Sequence, residues 1–311
     1  MPSSTSSAAP YSSSRSGWSD WQPLQLGAPL TPAVLAEILD GGQTFRWNPQ
    51  PDGTWLGLFS DLAVRLTMSP NGSVAWSTLD ESRPRAVSAL ERYFDLAREI
   101  DALTDTLPWR SDPHLAQCIA LFPGLRILRQ PFGETLLGFL CSATKQIVQI
   151  KQMLALLATR HGAELGHAHS MEDRFHRLPT WPELAAIPER ELRACLLGFR
   201  ARYISETAQF LAAHPRWLEE TEALPYASAK ERLRSLPGVG EKIADCVLLF
   251  GAGRLEAFPV DVWIIKTMAN RYGLHGWKPA QIAQFGRAHF GPLAGLAQQF
   301  LFACERRVAR R

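Results

Sequence analysis

Two hydrophobic periods divide the chain. Up to about residue 80, apolar and polar positions alternate over short stretches. Segments 44–47, 54–59, 63–67 and 73–76 are rich in aromatic and β-branched residues and are punctuated by Pro-Asp-Gly and Pro-Asn-Gly. They read as strands of an antiparallel sheet. Thr31-Pro32 opens a short helix among them. From about residue 84 the period becomes helical, with apolar stripes over 86–96, 134–142, 147–160, 181–186, 203–213, 229–236, 241–250, 261–272, 279–290 and 292–304. The pattern predicts an α+β protein, an N-terminal antiparallel sheet followed by two mostly helical domains. Its parts are a disordered Ser-rich tail (1–17), a sheet domain (18–110) and a helical region (111–311) holding a helix-hairpin-helix at 229–251. No internal repeat is visible.

Composition narrows the class. A hydrophobic fraction of 46% is ordinary for a globular chain. No apolar run is long enough to span a bilayer, and no membrane partner is expected. The start, MPSSTSSAAPYSSSRSG, lacks the apolar centre of a signal peptide. Cys118, Cys141, Cys195, Cys246 and Cys304 are dispersed and odd in number. That suits reduced thiols and excludes the close spacing of an iron–sulfur site. The expected location is cytoplasm or nucleoid, or the nucleus if the source is eukaryotic. Residues 1–110 carry 8 Lys+Arg against 12 Asp+Glu, whereas residues 111–311 carry 25 against 18. A polyanion would therefore bind the C-terminal two-thirds.

Residues 236–266 hold the most specific chemistry. Pro237-Gly238-Val239-Gly240 links two helices. Its glycines permit positive φ, and the next helix starts with free N–H groups and a positive dipole end. Gly238, Val239 and Gly240 thus suit a phosphate, without reading base sequence. Lys242, one of only 6 lysines, stands in the first turn of that second helix. A cation is misplaced there, which favours the neutral amine that nucleophilic attack needs. Asp261 follows Phe258-Pro259-Val260. It is a natural N-cap and also a carboxylate able to stabilise positive charge at a sugar carbon, and the two roles are compatible.

Together these residues resemble the helix-hairpin-helix DNA glycosylases with a Gly/Pro-Asp signature. More narrowly they resemble the 8-oxoguanine DNA glycosylase/lyases, over roughly residues 20–305. The resemblance implies a TBP-like sheet in the N-terminal domain. Gly42-Gln43-Thr44-Phe45-Arg46-Trp47 is similar to the family's G-Q-S-F-R-W. By resemblance, the Gly42 carbonyl would accept the N7 hydrogen that only the oxidised base carries. Gln298 would bond the Watson–Crick edge of the flipped base, with Phe302 and Cys246 stacking on its two faces. Leu197-Gly198-Phe199-Arg200-Ala201-Arg202-Tyr203 is similar to L-G-Y-R-A-R-Y. That similarity makes Phe199 a wedge in the base stack and Arg200 a contact to the unpaired cytosine.

The chain departs from the family on the opposite-base side. Cys141-Ser142-Ala143-Thr144-Lys145-Gln146 resembles C-S-S-N-N-N, with Thr144 where an asparagine fills the vacated gap. Gln149 replaces an arginine that helps read cytosine, and Trp263 replaces a histidine that touches phosphate. Thr144, Gln149 and Trp263 keep the DNA-binding positions but not the residue types, so weaker discrimination for cytosine is expected. The resemblance implies base flipping in duplex DNA containing oxidised guanine, attack of Lys242 on C1′, stabilisation by Asp261, and β-elimination through a Schiff base. It implies no metal and no organic cofactor, and a monomer. Two other readings remain open at this point. An alkylated-base glycosylase of the same superfamily would use water in place of the lysine. A non-catalytic helix-hairpin-helix protein would need only the hairpin and the basic surface.

Overall fold

The computed structural model describes residues 17–79, 82–167 and 174–309. The Ser-rich tail, save Gly17, lies outside the described residues. Five strands form one antiparallel sheet in the order β1-β5-β4-β3-β2: β1 (Gln22–Leu24), β2 (Trp47–Pro49), β3 (Trp55–Phe59), β4 (Leu62–Met68) and β5 (Val74–Thr78). Its turns use the expected chemistry. Thr54 N–H donates to Asp52 Oδ1 at 3.0 Å, and Ser73 N–H to Asn71 Oδ1 at 3.1 Å.

The strand expected over 44–47 is a correction. Only Trp47 belongs to β2, and the segment before it is irregular. Long-range bonds replace the ladder there. Gln43 donates to the Arg126 carbonyl at 3.1 Å and accepts from Leu128 N–H at 2.9 Å, and Gln130 Nε2 donates to the Gln43 carbonyl at 2.6 Å. Trp47 is fully buried and donates to Tyr93 Oη at 2.9 Å. The irregular segment is thus held between the sheet and the chain at 126–130, which presents Gly42 toward the helices.

Helices α1 (Pro32–Asp40) and α2 (Arg83–Tyr93) belong to the sheet region. Thr31 caps α1 as expected, accepting from Val34 N–H at 3.3 Å. Among the described residues thirteen helices follow: α3 (Ile100–Asp105), α4 (Pro113–Leu121), α5 (Phe132–Cys141), α6 (Ile147–His161), α7 (Trp181–Ala185), α8 (Glu189–Leu192), α9 (Arg200–Ala213), α10 (Trp217–Ala223), α11 (Tyr226–Arg234), α12 (Glu241–Phe250), α13 (Val262–Tyr272), α14 (Pro279–Phe290) and α15 (Ala294–Ala309). A strand pair, β6 (Glu164–His167) and β7 (Arg174–His176), interrupts the helical region and was not expected from its pattern. Each strand is too short for alternation to show, and the register shifts between Glu164 and Gly166. Phe175 of β7 joins Ala63 and Leu79 in a second small core beneath the sheet.

The main core runs unbroken from the sheet into the helices. Helix α5 is buried along nearly its whole length because FGETLLGFLC is apolar all round. It passes behind the site and delivers Phe139 and Ser142 to it. Several segment boundaries moved: α2 spans Arg83–Tyr93 rather than 86–96, and α11 begins at Tyr226 rather than Ala229. Helix α9 begins at Arg200 rather than Tyr203, and α15 begins after a 3-10 turn at Gly291–Leu293 and continues to Ala309. Among the described residues, no helix is long and apolar enough to cross a membrane.

Candidate active site

The hairpin residues alternate in burial. Val239 is buried and anchors the turn, whereas Gly238 and Gly240 are exposed on a wide cleft of about 1680 Å³. Gly238 has φ 77°, and a β-carbon there would come within 2.6 Å of the Tyr203 ring. Only glycine satisfies both constraints. Gly240 enters α12 in extended conformation with no side-chain cap, so the first-turn amides are left for a ligand. The Val239 side chain does not line the cleft, and only its backbone can take part.

An ionic brace centred on the buried Lys230 and Asp245 holds the two hairpin helices together. Lys230 Nζ of α11 lies 3.0 Å from Asp245 Oδ1 and 2.7 Å from Glu241 Oε2 of α12, and Tyr226 Oη donates to Asp245 Oδ1 at 2.7 Å. Burial pushes the Asp245 carboxyl up, and Lys230 and Tyr226 oppose that shift. Sequence reading missed this brace, whose members look like ordinary surface charges on an amphipathic helix. Lys230→Met should cost about 3 kcal/mol in urea unfolding, because Asp245 would keep its charge in the core without a cation. A loss under about 1 kcal/mol would show that the brace is dispensable.

Lys242 and Asp261 line the same cleft. Lys242 Nζ donates to Ser142 Oγ at 3.2 Å and sits 5.4 Å from the Phe139 ring centroid. Its hydrogen bond goes to Ser142 and not to Asp261. Asp261 caps α13 as its sequence position implies, with Oδ1 accepting from Trp263 N–H at 3.0 Å and Ile264 N–H at 2.9 Å. Desolvation raises the Asp261 carboxyl above the ordinary range, opposed by the Ile264 amide, the Lys242 charge and the Trp263 amide. The two groups thus sense each other across the cleft without an ion pair. Among the described residues, no cluster of three or more His, Cys, Asp or Glu side chains is gathered to hold a metal ion.

Gly42 and Phe302 meet at one end of the cleft although 260 positions separate them in the chain. Arg306, one turn beyond Phe302, bonds the Gly41 carbonyl and pairs with Glu37 at 3.0 Å, tying α15 to the end of α1. Gly42 has φ 107°, and a β-carbon there would lie 3.1 Å from Ile147 Cδ1 and 3.7 Å from Phe302 Cε1. Ile147 was not singled out from sequence, yet it packs beside Gly42 in the cleft lining.

Gln298 and Cys246 are buried and do not line the cleft. Gln298 is 4% exposed, its Nε2 donates to the Pro259 carbonyl at 3.2 Å, and its buried Oε1 has no partner. The Cys246 thiol is pushed up to about 12, chiefly by burial, so it packs as a neutral side chain. Thr144, Gln149 and Trp263 line the cleft. The Thr144 hydroxyl accepts from Arg200 Nη2 at 3.0 Å, and Gln149 Oε1 accepts from the Gln146 amide at 3.2 Å. Phe199 is 51% exposed just outside the cleft. Arg200, by contrast, is 2% exposed, and its guanidinium bonds the carbonyls of Leu197 and Ala143 as well as Thr144. Those bonds must be released before it could reach a base.

Residues 25–136 match the family model of the 8-oxoguanine DNA glycosylase N-terminal domain, and residues 138–288 that of the HhH-GPD superfamily base excision DNA repair protein. The chain is 31% identical over 304 residues to N-glycosylase/DNA lyase OGG1 of Arabidopsis thaliana, covering 94% of this chain and 82% of the relative. It is 30% identical over 267 residues to the N-glycosylase/DNA lyase of Saccharomyces cerevisiae, covering 76% and 68%. Among solved structures, the Clostridium acetobutylicum 8-oxoguanine glycosylase/lyase, in complex with double-stranded DNA containing cytosine opposite 8-oxoG, superposes with TM-score 0.81. That pair shares 31% identity, over 88% of this chain and 92% of the other.

Proposed function

Because the chain belongs to the 8-oxoguanine DNA glycosylase/lyase family, we infer that it excises 8-oxoguanine from duplex DNA and then nicks the strand. One observation carries the reading. An amine, a carboxylate, a backbone carbonyl and an aromatic ring from four distant segments converge on one cleft: Lys242, Asp261, Gly42 and Phe302.

In this reading the hairpin amides hold phosphate and the damaged base turns out of the stack into the space beside Gly42. Guanine would present an N7 acceptor to the Gly42 carbonyl and is rejected, because the oxidised base alone supplies a donor there. Gln298 Oε1, buried and unpartnered, is an acceptor for a base N–H. Lys242 Nζ forms a bond to C1′ as the glycosidic bond breaks, and the electron pair leaves with the purine, which takes up a proton. Asp261 stabilises the positive charge that develops on the sugar. Opening of the sugar ring gives a Schiff base, and loss of a C2′ proton expels the 3′ phosphate. The protein acts as a monomer on the basic side of its helical region.

The test follows base release and strand nicking separately on a duplex containing 8-oxoguanine. Both should occur. Release without nicking would favour the water-using alternative, and neither would reject the reading. Opposite-base preference tests the substitutions at 144 and 149. Thr144 is short and engaged by Arg200, and Gln149 is spent on its helix cap, so the contacts that discriminate cytosine are weakened. Excision opposite C, A, G and T should fall within about tenfold, since a good base contact contributes about 1–3 kcal/mol. A strong cytosine preference would contradict this.

A further inference from the structure

The turn before α9 spends stability on one residue. In Cys195-Leu196-Leu197 the outer two side chains are fully buried, while Leu196 is 58% exposed. Leu196 also has φ 65° and ψ 12°, a left-handed conformation in which a β-carbon is strained. Glycine or asparagine would sit there at less cost. The turn is held at both ends. Arg160 Nη1 bonds the Ala194 carbonyl at 2.9 Å, and Arg200 Nη1 the Leu197 carbonyl at 3.2 Å. Gly198, at φ 57°, then reverses the chain and brings in Phe199. An exposed leucine on a strained, pinned backbone adds nothing to folding, and strain of this kind collects at functional sites.

The position beside Phe199 says what the residue is for. Phe199 packs edge-on against Tyr203, the ring beneath the Gly238 hairpin, with centroids 6.0 Å apart. The Arg200 guanidinium lies 4.3 Å over the Phe199 ring and reaches Thr144 on the cleft rim. Beside the turn, Thr144 is committed to Arg200 and Arg200 to the chain itself. What the turn offers a duplex is two apolar side chains on one pinned backbone. We propose that Leu196 is a second wedge, entering the base stack beside Phe199 and keeping the kinked duplex open where polar contacts to the opposite base are weak. The proposal rests on the glycosylase reading.

Leu196→Gly separates this role from folding. Glycine suits φ 65°, so Tm should stay within about 2 °C of the parent. With 2-aminopurine next to the base opposite the lesion, the parent should give a fluorescence rise on binding. Leu196→Gly should lose most of that rise and excise about tenfold more slowly in single turnover. Leu196→Met, which keeps an apolar wedge, should restore both. A full fluorescence rise with parental excision in Leu196→Gly would overturn the role of Leu196 alone. Absence of base release by the parent would overturn the glycosylase reading beneath it.

Discussion

Lys242→Gln is expected to abolish borohydride trapping on 8-oxoguanine duplex and to reduce base release below about one-thousandth of the parent. Glutamine keeps much of the side-chain length and can still bond Ser142 Oγ, so the fold and DNA affinity should persist. It lacks the amine proposed to form a bond to C1′ and later carry the Schiff base. Two other lysines line the cleft, Lys145 and Lys151. Lys151 is held by Asp40 at 2.8 Å and by the Trp47 carbonyl at 2.7 Å, which leaves Lys145 as the competitor. Lys145→Gln should be trapped normally. Trapping that survives in Lys242→Gln and disappears in Lys145→Gln would move the nucleophile to Lys145, just before α6.

Asp261→Asn is expected to slow excision by about 10²–10³-fold while leaving lesion binding close to the parent. Asparagine caps a helix as well as aspartate, so α13 should remain intact. The sign of the pKa shift strengthens this expectation. The folded protein raises this carboxyl, chiefly by desolvation, so the group favours folding at low pH and loses that contribution as pH rises through the raised value. At neutral pH, removing the charge should therefore not destabilise the protein. Excision needs the ionised form, and its rate should climb with pH through that raised value. Single-turnover rates against pH should show this acid limb in the parent and not in Asp261→Asn. An identical limb in both proteins would assign it to another group.

The legible parts of this chain are those whose signals are local. The boundaries of α12 and α14 follow from Pro-Gly-Val-Gly and from Pro279, and Asp261 announces its cap by its place after Pro259. The misread parts are those whose partners are remote. Residues 44–46 look like strand, but Gln43 binds a segment more than 80 positions away and holds them out of the ladder. The short β6–β7 pair is stabilised by the sheet it covers, not by its own pattern.

The sequence by itself determined the fold class and the hairpin and pointed to Lys242 and Asp261 as the proposed chemistry-bearing pair, because periodicity and turn chemistry act over a few residues. Only the tertiary structure decided which side chains face the cleft. It turned Arg200 inward, buried Gln298 and Cys246 away from the cleft lining, and left Leu196 exposed between two buried neighbours. Orientation and burial depend on contacts between segments far apart in the chain, and no local pattern records them.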